Sequence, residues 1–125
     1  MRPSLPLFLA LAALLPGCGR DSVSCTLEAR SSVTVRVVDT RSNSQRDARV
    51  TFTRDGGPEQ PALCNGGQEA QQGRCDTWVT NYEQPGQYVI TATSADGTRT
   101  TRQQVSVGKD ECHVHSESVT LTLPD

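Results

Sequence analysis

The sequence has few aromatic residues and lacks several patterns that would assign it to a large functional class. Aromatic residues make up 4% of the chain, and no stretch shows a convincing helical period. The longest apolar stretch, 5–15, is interrupted by Pro6, and it is shorter than the roughly 20 residues that a membrane-spanning helix needs. There is no C-x-x-C pair and no G-x-S-x-G nucleophile elbow. These absences argue against a helical membrane-spanning protein, a dithiol redox protein and an α/β-hydrolase.

The charge balance gives no indication of a nucleic-acid partner. Twelve basic and fourteen acidic residues give a formal net charge of −2. The arginines are scattered along the chain, whereas nucleic-acid-binding surfaces concentrate basic residues on one face. We therefore expect no nucleic-acid partner.

The first residues have the parts of a bacterial export signal. Arg2 supplies a positive start, residues 5–15 are almost purely leucine and alanine, and a small-residue cleavage site follows. The next four residues, Leu15-Pro16-Gly17-Cys18, resemble the lipobox of bacterial lipoproteins, in which leucine lies three residues before the modified cysteine and a small residue lies directly before it. The resemblance implies cleavage after Gly17 and a lipid on the Cys18 sulfur. The alternative is an ordinary signal peptide with an incidental cysteine.

A lipidated Cys18 would attach the mature chain to a membrane, since each buried methylene contributes about 0.8 kcal/mol and two or more acyl chains anchor stably. Gly19 stands where an aspartate commonly retains lipoproteins at the inner membrane of Gram-negative bacteria, so the outer membrane is favoured. Loss of Arg2 with the signal leaves eleven basic residues against fourteen acidic ones, a net charge near −3. The expected segments are a removed signal at 1–17, a lipidated cysteine and tether at 18–29, and one domain at 30–125.

The four remaining cysteines indicate disulfides, because an even number in an exported chain commonly forms a disulfide framework. Four cysteines allow three pairings. Cys64 and Cys75 bracket a stretch rich in glycine and glutamine, so a bond between them would close a short loop. Cys25 precedes the first expected strand and Cys112 precedes the last, so a bond there would tie the chain ends together. We favour Cys64–Cys75 with Cys25–Cys112.

Short β-strands follow one another along the domain. Val33, Val35 and Val37 alternate with polar residues at the strand period of two. Similar alternation recurs at 50–53, 88–92, 101–107 and 119–123, with a short apolar stretch at 76–80. Turn residues at 55–58, 83–86 and 95–97 separate these stretches, and 55–74 is one long irregular stretch. The pattern predicts an all-β, two-sheet antiparallel sandwich of six or seven strands.

One departure from this alternation lies near the C-terminus. Val114 is out of phase with Val119. Because successive side chains of a strand point to opposite faces, one unbroken strand cannot bury both residues. We expect a bulge, or a change from loop to strand, near Ser116 and Glu117.

Three motifs resemble the carboxypeptidase regulatory-like domain, whose markings are V-x-V-x-D, A-x-V-x-F and G-x-Y-x-V-x-A. The corresponding residues are VTVRVVD at 33–39, ARVTF at 48–52 and EQPGQYVITA at 83–92. The ending DECHV at 110–114, followed by VTL at 119–121, resembles small lipoproteins of this type from myxobacteria. The resemblance implies an Ig-like or transthyretin-like sandwich without catalytic residues, acting as an accessory, adhesive, carbohydrate-binding or protein-binding module.

The strongest candidate for metal chemistry is the pair His113 and His115, which follows Cys112. Two histidines at i and i+2 on a strand point the same way, and neutral imidazole is a good ligand for zinc or copper. Glu111 or Glu117 could supply a third ligand. The alternative is a solvent-facing pair beside a disulfide, in which an oxidised Cys112 has no thiolate to offer. We expect neither a metal nor a cofactor, with this pair as the weak exception.

Acid–base and nucleophilic catalysis have less support. A serine could use His113 or His115 as its base, but no sequence feature selects one. Asp110 and Glu111 are adjacent, so on a strand their side chains would face opposite ways. We therefore predict that the protein is not an enzyme.

Residues 55–74 are the best candidate for a binding surface, because long loops on rigid scaffolds often carry recognition. A Cys64–Cys75 bond would preorganise this stretch, although it could also be a tolerated insertion. Trp78 and Tyr82 could add an aromatic platform for sugar or peptide, unless Trp78 lies in the core. The sequence favours a monomeric, membrane-anchored lipoprotein with a non-catalytic binding or envelope-structural domain, whose ligand would be a protein or a carbohydrate. The alternative is a metal-binding protein or metal-dependent enzyme using His113 and His115.

Overall fold

A computed structural model of the protein describes residues 24–125. The expected signal segment and Cys18 lie outside this range. Within it the regular secondary structure is β-strand, apart from one short 3-10 segment at Gly67–Gln72. The described range contains no helix long and apolar enough to cross a membrane.

In residues 24–125 eight strands form two four-stranded sheets, which confirms the predicted all-β, two-sheet architecture. Sheet I has the order β4-β5-β1-β8 and sheet II the order β3-β2-β6-β7. In chain order the strands are β1 (Val33–Val38), β2 (Arg49–Arg54), β3 (Gln60–Pro61), β4 (Leu63–Asn65), β5 (Thr77–Val79), β6 (Gly86–Thr93), β7 (Thr100–Val107) and β8 (Glu117–Thr122).

The strand count exceeds the predicted six or seven because β3 and β4 lie inside the stretch 55–74 that was expected to be irregular. β3 pairs with β2 at the edge of sheet II, and β4 pairs with β5 at the edge of sheet I. Strands of two or three residues are too short to show an alternating pattern. Pro61 is compatible with β3 because an edge strand leaves one row of backbone groups unpaired.

One strand pair of this mainly antiparallel sandwich is parallel, since β1 and β8 run in the same direction from Val33↔Glu117 to Val38↔Thr122. The reason is the direction in which the chain arrives. β7 ends beside the start of β6, at Gly86↔Val107, and the loop 108–116 then delivers the chain to the end of the sandwich where β1 begins. The other strand pairs are antiparallel.

The core lies between the sheets and consists of the residues that alternate at period two. Val33, Val35 and Val37 of β1 are at most 1% exposed, as are Tyr88, Ile90 and Ala92 of β6. The remaining core residues come from the other strands and their ends: Ala48, Val50, Phe52, Cys75, Trp78, Val105, Val107, Val114, Leu121 and Leu123. The Phe52 and Tyr88 rings lie 5.9 Å apart between centroids. A core poor in aromatic residues is therefore built mainly from valine.

The two ends of the sandwich are distinct, and we name them by what they contain. The clasp end comprises 24–32, 80–86 and 108–116, from which β1, β6 and β8 start. The loop end comprises 39–48, 66–76 and 94–99. The loop 66–76 belongs to the loop end because β5 runs antiparallel to β1. A hydrogen bond from Cys75 N to the carbonyl oxygen of Arg46 (2.8 Å) joins two of these loops.

The core account predicts a large difference between two neighbouring residues of β6. Ile90 is fully buried, whereas Thr91 lies on the opposite face and is half-buried. Ile90→Ala should lower the free energy of unfolding by about 2–5 kcal/mol because it leaves a cavity. Thr91→Ala should lower it by less than about 1 kcal/mol. Urea denaturation measures both values, and equal losses would contradict the assignment of faces.

Candidate functional site

Three segments of the clasp end meet at one carboxylate, that of Glu83. Glu83 Oε1 accepts a hydrogen bond from Arg30 N (2.8 Å), and Glu83 Oε2 accepts one from Val114 N (3.1 Å). The Glu83 N–H in turn donates to the carbonyl oxygen of Arg30 (2.9 Å). The N-terminal segment, the turn before β6 and the loop before β8 are thus joined by a single side chain.

Backbone conformation places this carboxylate. Glu83 has a positive φ of 54°, which is uncommon for a residue with a side chain. The predicted turn at 83–86 is present, and its glycine is required: a Cβ at Gly86, whose φ is 147°, would lie 2.8 Å from the Asp55 carboxylate. Asp55 Oδ1 also accepts a hydrogen bond from Gln87 N (2.8 Å). The turn is therefore fixed on both sides of Glu83.

A nearly buried imidazole, His113, completes the arrangement. The ring is 7% exposed; its Nδ1 lies 2.7 Å from Glu83 Oε1, and its Nε2 lies 2.8 Å from Thr26 Oγ1. An ionised carboxylate can only accept, so Nδ1 is the donor, and Nε2 of a neutral ring then accepts the Thr26 hydroxyl. We call the five residues Thr26, Arg30, Glu83, His113 and Val114 the clasp.

The loop 108–116 presents His113 to the clasp by turning tightly. Asp110 Oδ1 accepts hydrogen bonds from Cys112 N (2.8 Å) and His113 N (2.9 Å). An isolated bridge pairs Lys109 with Val114, which is 2% exposed and belongs to the core. Strand β8 begins only afterwards, at Glu117. The predicted change from loop to strand near this residue is therefore confirmed.

Both favoured disulfides are present, and they lie at opposite ends of the sandwich. Cys25–Cys112 joins residues 87 apart in sequence at the clasp end, with 5.2 Å between the Cα atoms. Cys64–Cys75 spans 11 residues and closes the loop 66–76 at the loop end, with a Cα–Cα distance of 5.3 Å. The first bond covalently reinforces the clasp, because Cys25 and Cys112 are each one residue away from a clasp residue.

Hydrogen bonds lower the pKa values of the two carboxyl groups that organise this end. The pKa of Glu83 lies below its ordinary value, chiefly because Arg30 N–H donates to it, with His113 and Val114 adding to the effect against partial burial. The backbone N–H groups of His113 and Cys112 lower the pKa of Asp110 in the same way. Both groups are carboxylates at neutral pH, which is the form that the clasp requires.

The clasp has the order hydroxyl, imidazole, carboxylate that nucleophilic hydrolases use, beside a cleft of about 460 Å³ lined by Leu27, Glu28 and Lys109, among others. Acyl transfer also needs free N–H donors for the oxyanion. The N–H groups of Cys112 and His113 are bonded to Asp110, and that of Val114 is bonded to Glu83. These donors already serve the fold, and the arrangement is suited to holding segments together.

The expectation that His113 and His115 point the same way is wrong, because they lie in a tight loop and not on a strand. Both ring nitrogens of His113 are hydrogen-bonded inside the clasp. The His115 side chain is 62% exposed, and its Nε2 lies 3.5 Å from Asp110 Oδ2. In residues 24–125 no three His, Cys, Asp or Glu side chains are grouped so that they could hold a metal ion. The structure does not bring Glu111 or Glu117 together with this pair into such a group.

The stretch 55–74, predicted as a binding surface, is largely exposed and divides between the two ends of the sandwich. Its first part, 55–59, follows β2 beside the start of β6 (Arg54↔Tyr88), whereas 66–74 lies at the loop end. Residues 55–61, 63–65 and 71–74 are exposed. Beyond the disulfide, an ion pair between Arg46 and Asp76 (2.8 Å) fixes the loop 66–76 to its neighbour. A rigid and accessible loop is what a preorganised binding surface requires.

The turns beside this loop are ordered by their own side chains. Asp39 accepts hydrogen bonds from the backbone N–H groups of Arg41 (2.8 Å) and Asn43 (2.9 Å). In the predicted hairpin at 94–99, Asp96 accepts from the Ser94 hydroxyl (2.6 Å), which is the main reason that the pKa of Asp96 falls to about 2. The loop end therefore presents several firmly held polar turns.

The aromatic platform proposed from the sequence does not form. Trp78 is 4% exposed and belongs to the core, whereas Tyr82 is 47% exposed at the clasp end. The alternative assignment of Trp78 to the core is the one that the structure supports.

No sequence pattern indicates the clasp. Local patterns identify Glu83 only as the first residue of a turn and place Thr26 in the tether. Their partner His113 lies 30 residues after Glu83 and 87 after Thr26, and no local period connects positions so far apart.

Comparison with known proteins identified no relative. No protein-family model matches the chain, and no curated protein matches it. The resemblance to carboxypeptidase regulatory-like domains and to lipoproteins stays a prediction from the motifs.

Glu83→Gln should weaken the clasp and reduce the dependence of stability on acid pH. A carboxyl group whose pKa is lowered by folding stabilises the fold above its ordinary value of 4.5, and this contribution is lost as the pH falls through the lowered value. The variant should therefore lose less stability than the wild type between neutral pH and pH values below about 4.5. Thermal denaturation over a pH series measures the difference.

Glu59→Gln is the matched control, because Glu59 is an exposed glutamate on the loop after β2. It should leave the pH profile of the wild type nearly unchanged. Asp39, Asp96 and Asp110, whose pKa values are also lowered, should keep part of the acid dependence in both variants. A Glu83→Gln profile that overlays the wild type would contradict the assigned role.

The two disulfides should differ in their contribution to stability. In the chain-entropy model the contribution grows with the logarithm of loop length, and the sequence separations are 87 and 11 residues. Replacing Cys25 and Cys112 by serine should therefore cost about 2 kcal/mol more than replacing Cys64 and Cys75. Urea denaturation of the two double variants tests this order, and a larger loss for the Cys64–Cys75 pair would contradict it.

Proposed function

We propose that the protein is an exported lipoprotein, anchored to a membrane through Cys18, whose β-sandwich is a non-catalytic binding or envelope-structural module. The observation that supports this most strongly is the position of the two disulfides. One fastens the N-terminal segment to the clasp end, and the other closes an exposed loop at the opposite end. A domain that is attached to a membrane at one end and carries rigid loops at the other is suited to presenting those loops to a ligand.

The short stretch of chain between Cys18 and Cys25 indicates which end of the domain the lipid would anchor. Cys25 follows Cys18 by seven residues, which span at most about 23–25 Å when fully extended. Strand β6 alone, with eight residues, is about 26 Å long. Because Cys25 is bonded to Cys112, a lipid on Cys18 would keep the clasp end within the length of this seven-residue stretch from the bilayer, whereas the loop end could lie farther from it.

Two structural disulfides support export. Such bonds form and persist in oxidising compartments and are rare in the cytosol. Their presence in a small domain indicates an extracytoplasmic location. Within that location we propose the outer membrane, from Gly19 after the lipidated cysteine.

The proposed partner is a protein or a carbohydrate that binds at the loop end. The exposed residues there include Asn43, Gln71 and Gln72, whose amides both donate and accept hydrogen bonds. The neighbouring turns are fixed by Asp39 and Asp96, so little conformational entropy is lost when a ligand binds. Polar loops on a rigid scaffold suit recognition of a polar ligand.

The alternative function, a metal-binding protein or metal-dependent enzyme, has less support. His113 could bind a metal ion only after losing its hydrogen bond with Glu83 or Thr26, and either loss would weaken the clasp. No specific feature of residues 24–125 favours this function.

Lipidation is tested by the intact mass and detergent phase partitioning of the protein produced with its full signal. We expect a chain that begins at Cys18, carries a lipid-sized mass increment and enters the detergent phase. Cys18→Ala should lose the increment and stay in the aqueous phase, with both disulfides retained. A wild-type product without lipid would contradict the proposal and would leave Cys18 as an additional thiol.

A further inference from the structure

We propose that the clasp end is a membrane-contacting surface, on which Leu27 inserts among the headgroups of a zwitterionic phospholipid bilayer. The proposal rests on the proposed function, since the lipid on Cys18 brings the surface to the bilayer. It adds that the domain contacts the bilayer directly in one orientation, which attachment by a lipid alone does not require.

The first observation is the exposure of Leu27, which is complete at 104%. The leucine is held in this position from both sides. Before it, Cys25 is bonded to Cys112, and the Thr26 hydroxyl lies 2.8 Å from His113 Nε2. After it, Arg30 N donates to Glu83 (2.8 Å). Leu27 is therefore an apolar side chain projecting from a short segment that is fastened at both ends.

The second observation is the distribution of exposed apolar side chains. Within 24–125 the large exposed apolar residues are Leu27, Leu63 and Tyr82, and two of these three lie at the clasp end. An isolated bridge between Ser31 and Tyr82 places the tyrosine beside the N-terminal segment. Tyrosine is enriched where membranes meet water, because its ring is apolar and its hydroxyl is polar.

The third observation is the length of chain between the expected lipid and the described residues. Residues 19–23 separate Cys18 from Ser24. A lipid in the bilayer therefore keeps Leu27, which follows Cys18 by nine residues, within about 30–32 Å of the anchor, and a weak contact becomes effective because it is intramolecular. The occupant of this surface is accordingly the bilayer that holds the lipid.

The net charge of the clasp end indicates which headgroup charge the contacted bilayer should have. The segments 24–32, 80–86 and 108–116 carry four acidic residues against two basic ones. The acidic residues are Glu28, Glu83, Asp110 and Glu111, and the basic ones are Arg30 and Lys109. An excess of negative charge is repelled by anionic headgroups. We therefore expect contact with zwitterionic lipid and weaker contact when anionic lipid is added.

The experiment uses the mature lipidated protein in zwitterionic phospholipid vesicles that contain a lipid with a gadolinium chelate on its headgroup. Paramagnetic broadening of backbone amide signals reports which residues lie near the surface. We expect strong broadening at 26–29 and at Tyr82 and little at 96–99, which lies at the loop end. Broadening of both ends alike, or of 96–99 alone, would overturn the proposal.

Two variants separate insertion from simple proximity. Leu27→Glu should reduce broadening at 26–29 while the protein still sediments with the vesicles through its lipid. Leu63→Glu changes another exposed leucine, which lies on β4 and outside the clasp end, and should leave the broadening unchanged. Equal effects of the two variants, or none from Leu27→Glu, would overturn the role of Leu27.

The outcomes also separate this proposal from the proposed function. A chain that carries lipid and sediments with vesicles, yet broadens uniformly, would overturn the contact surface and leave the lipid anchor supported. A chain without lipid that stays in the supernatant would overturn both. Replacing about a third of the lipid by an anionic phospholipid should reduce the broadening at 26–29, and an increase would overturn the predicted preference.

Discussion

The carboxylate of Glu83 joins three segments at the clasp end that lie outside the eight named strands. It accepts hydrogen bonds from the backbone of Arg30 and Val114 and from the ring of His113. Removing a carboxylate of this kind leaves several donors without an acceptor, which costs more than the loss of one hydrogen bond. Residues 24–30 belong to no strand, so their position depends on this side chain, on the Cys25–Cys112 bond and on the neighbouring bridge between Ser31 and Tyr82. The orientation proposed for the anchored domain depends on these contacts.

The two ends of the sandwich divide the proposed roles between them. At the clasp end, hydrogen bonds and a disulfide fasten the segment that leads to the expected lipid. At the loop end, the Cys64–Cys75 bond and the turns at Asp39 and Asp96 hold polar loops in place. Neither task needs catalysis, and three consecutive backbone N–H groups beside the clasp, at 112–114, are already hydrogen-bonded to Asp110 and Glu83. A small core with few aromatic residues gains stability from the same two disulfides that organise the ends.

The sequence predicted the features that depend on patterns of neighbouring residues and on the order of residues along the chain. Alternating valines identified β1, and the glycine and proline residues of the turns located most strand ends. The pairing of Cys25 with Cys112 followed from their positions before the first and last strands. The strands β3 and β4 were not predicted because they are too short to show an alternating pattern. The parallel pairing of β8 with β1 was not predicted because it depends on the path of the loop 108–116. The clasp could not be predicted from the sequence, because contacts such as that between Glu83 and His113 join residues far apart in the chain.

The most direct test of the central claim, that the clasp joins three segments into one unit, is native-state hydrogen exchange of the wild-type protein at neutral pH. The amides of Arg30, Glu83 and Val114 each donate a hydrogen bond within the clasp. If the clasp opens as one unit, these three amides exchange with the same free energy of opening, as cooperative units do. Exchange of Arg30 at the rate of an unprotected amide, with Val114 still protected, would show a frayed N-terminal segment and contradict the account.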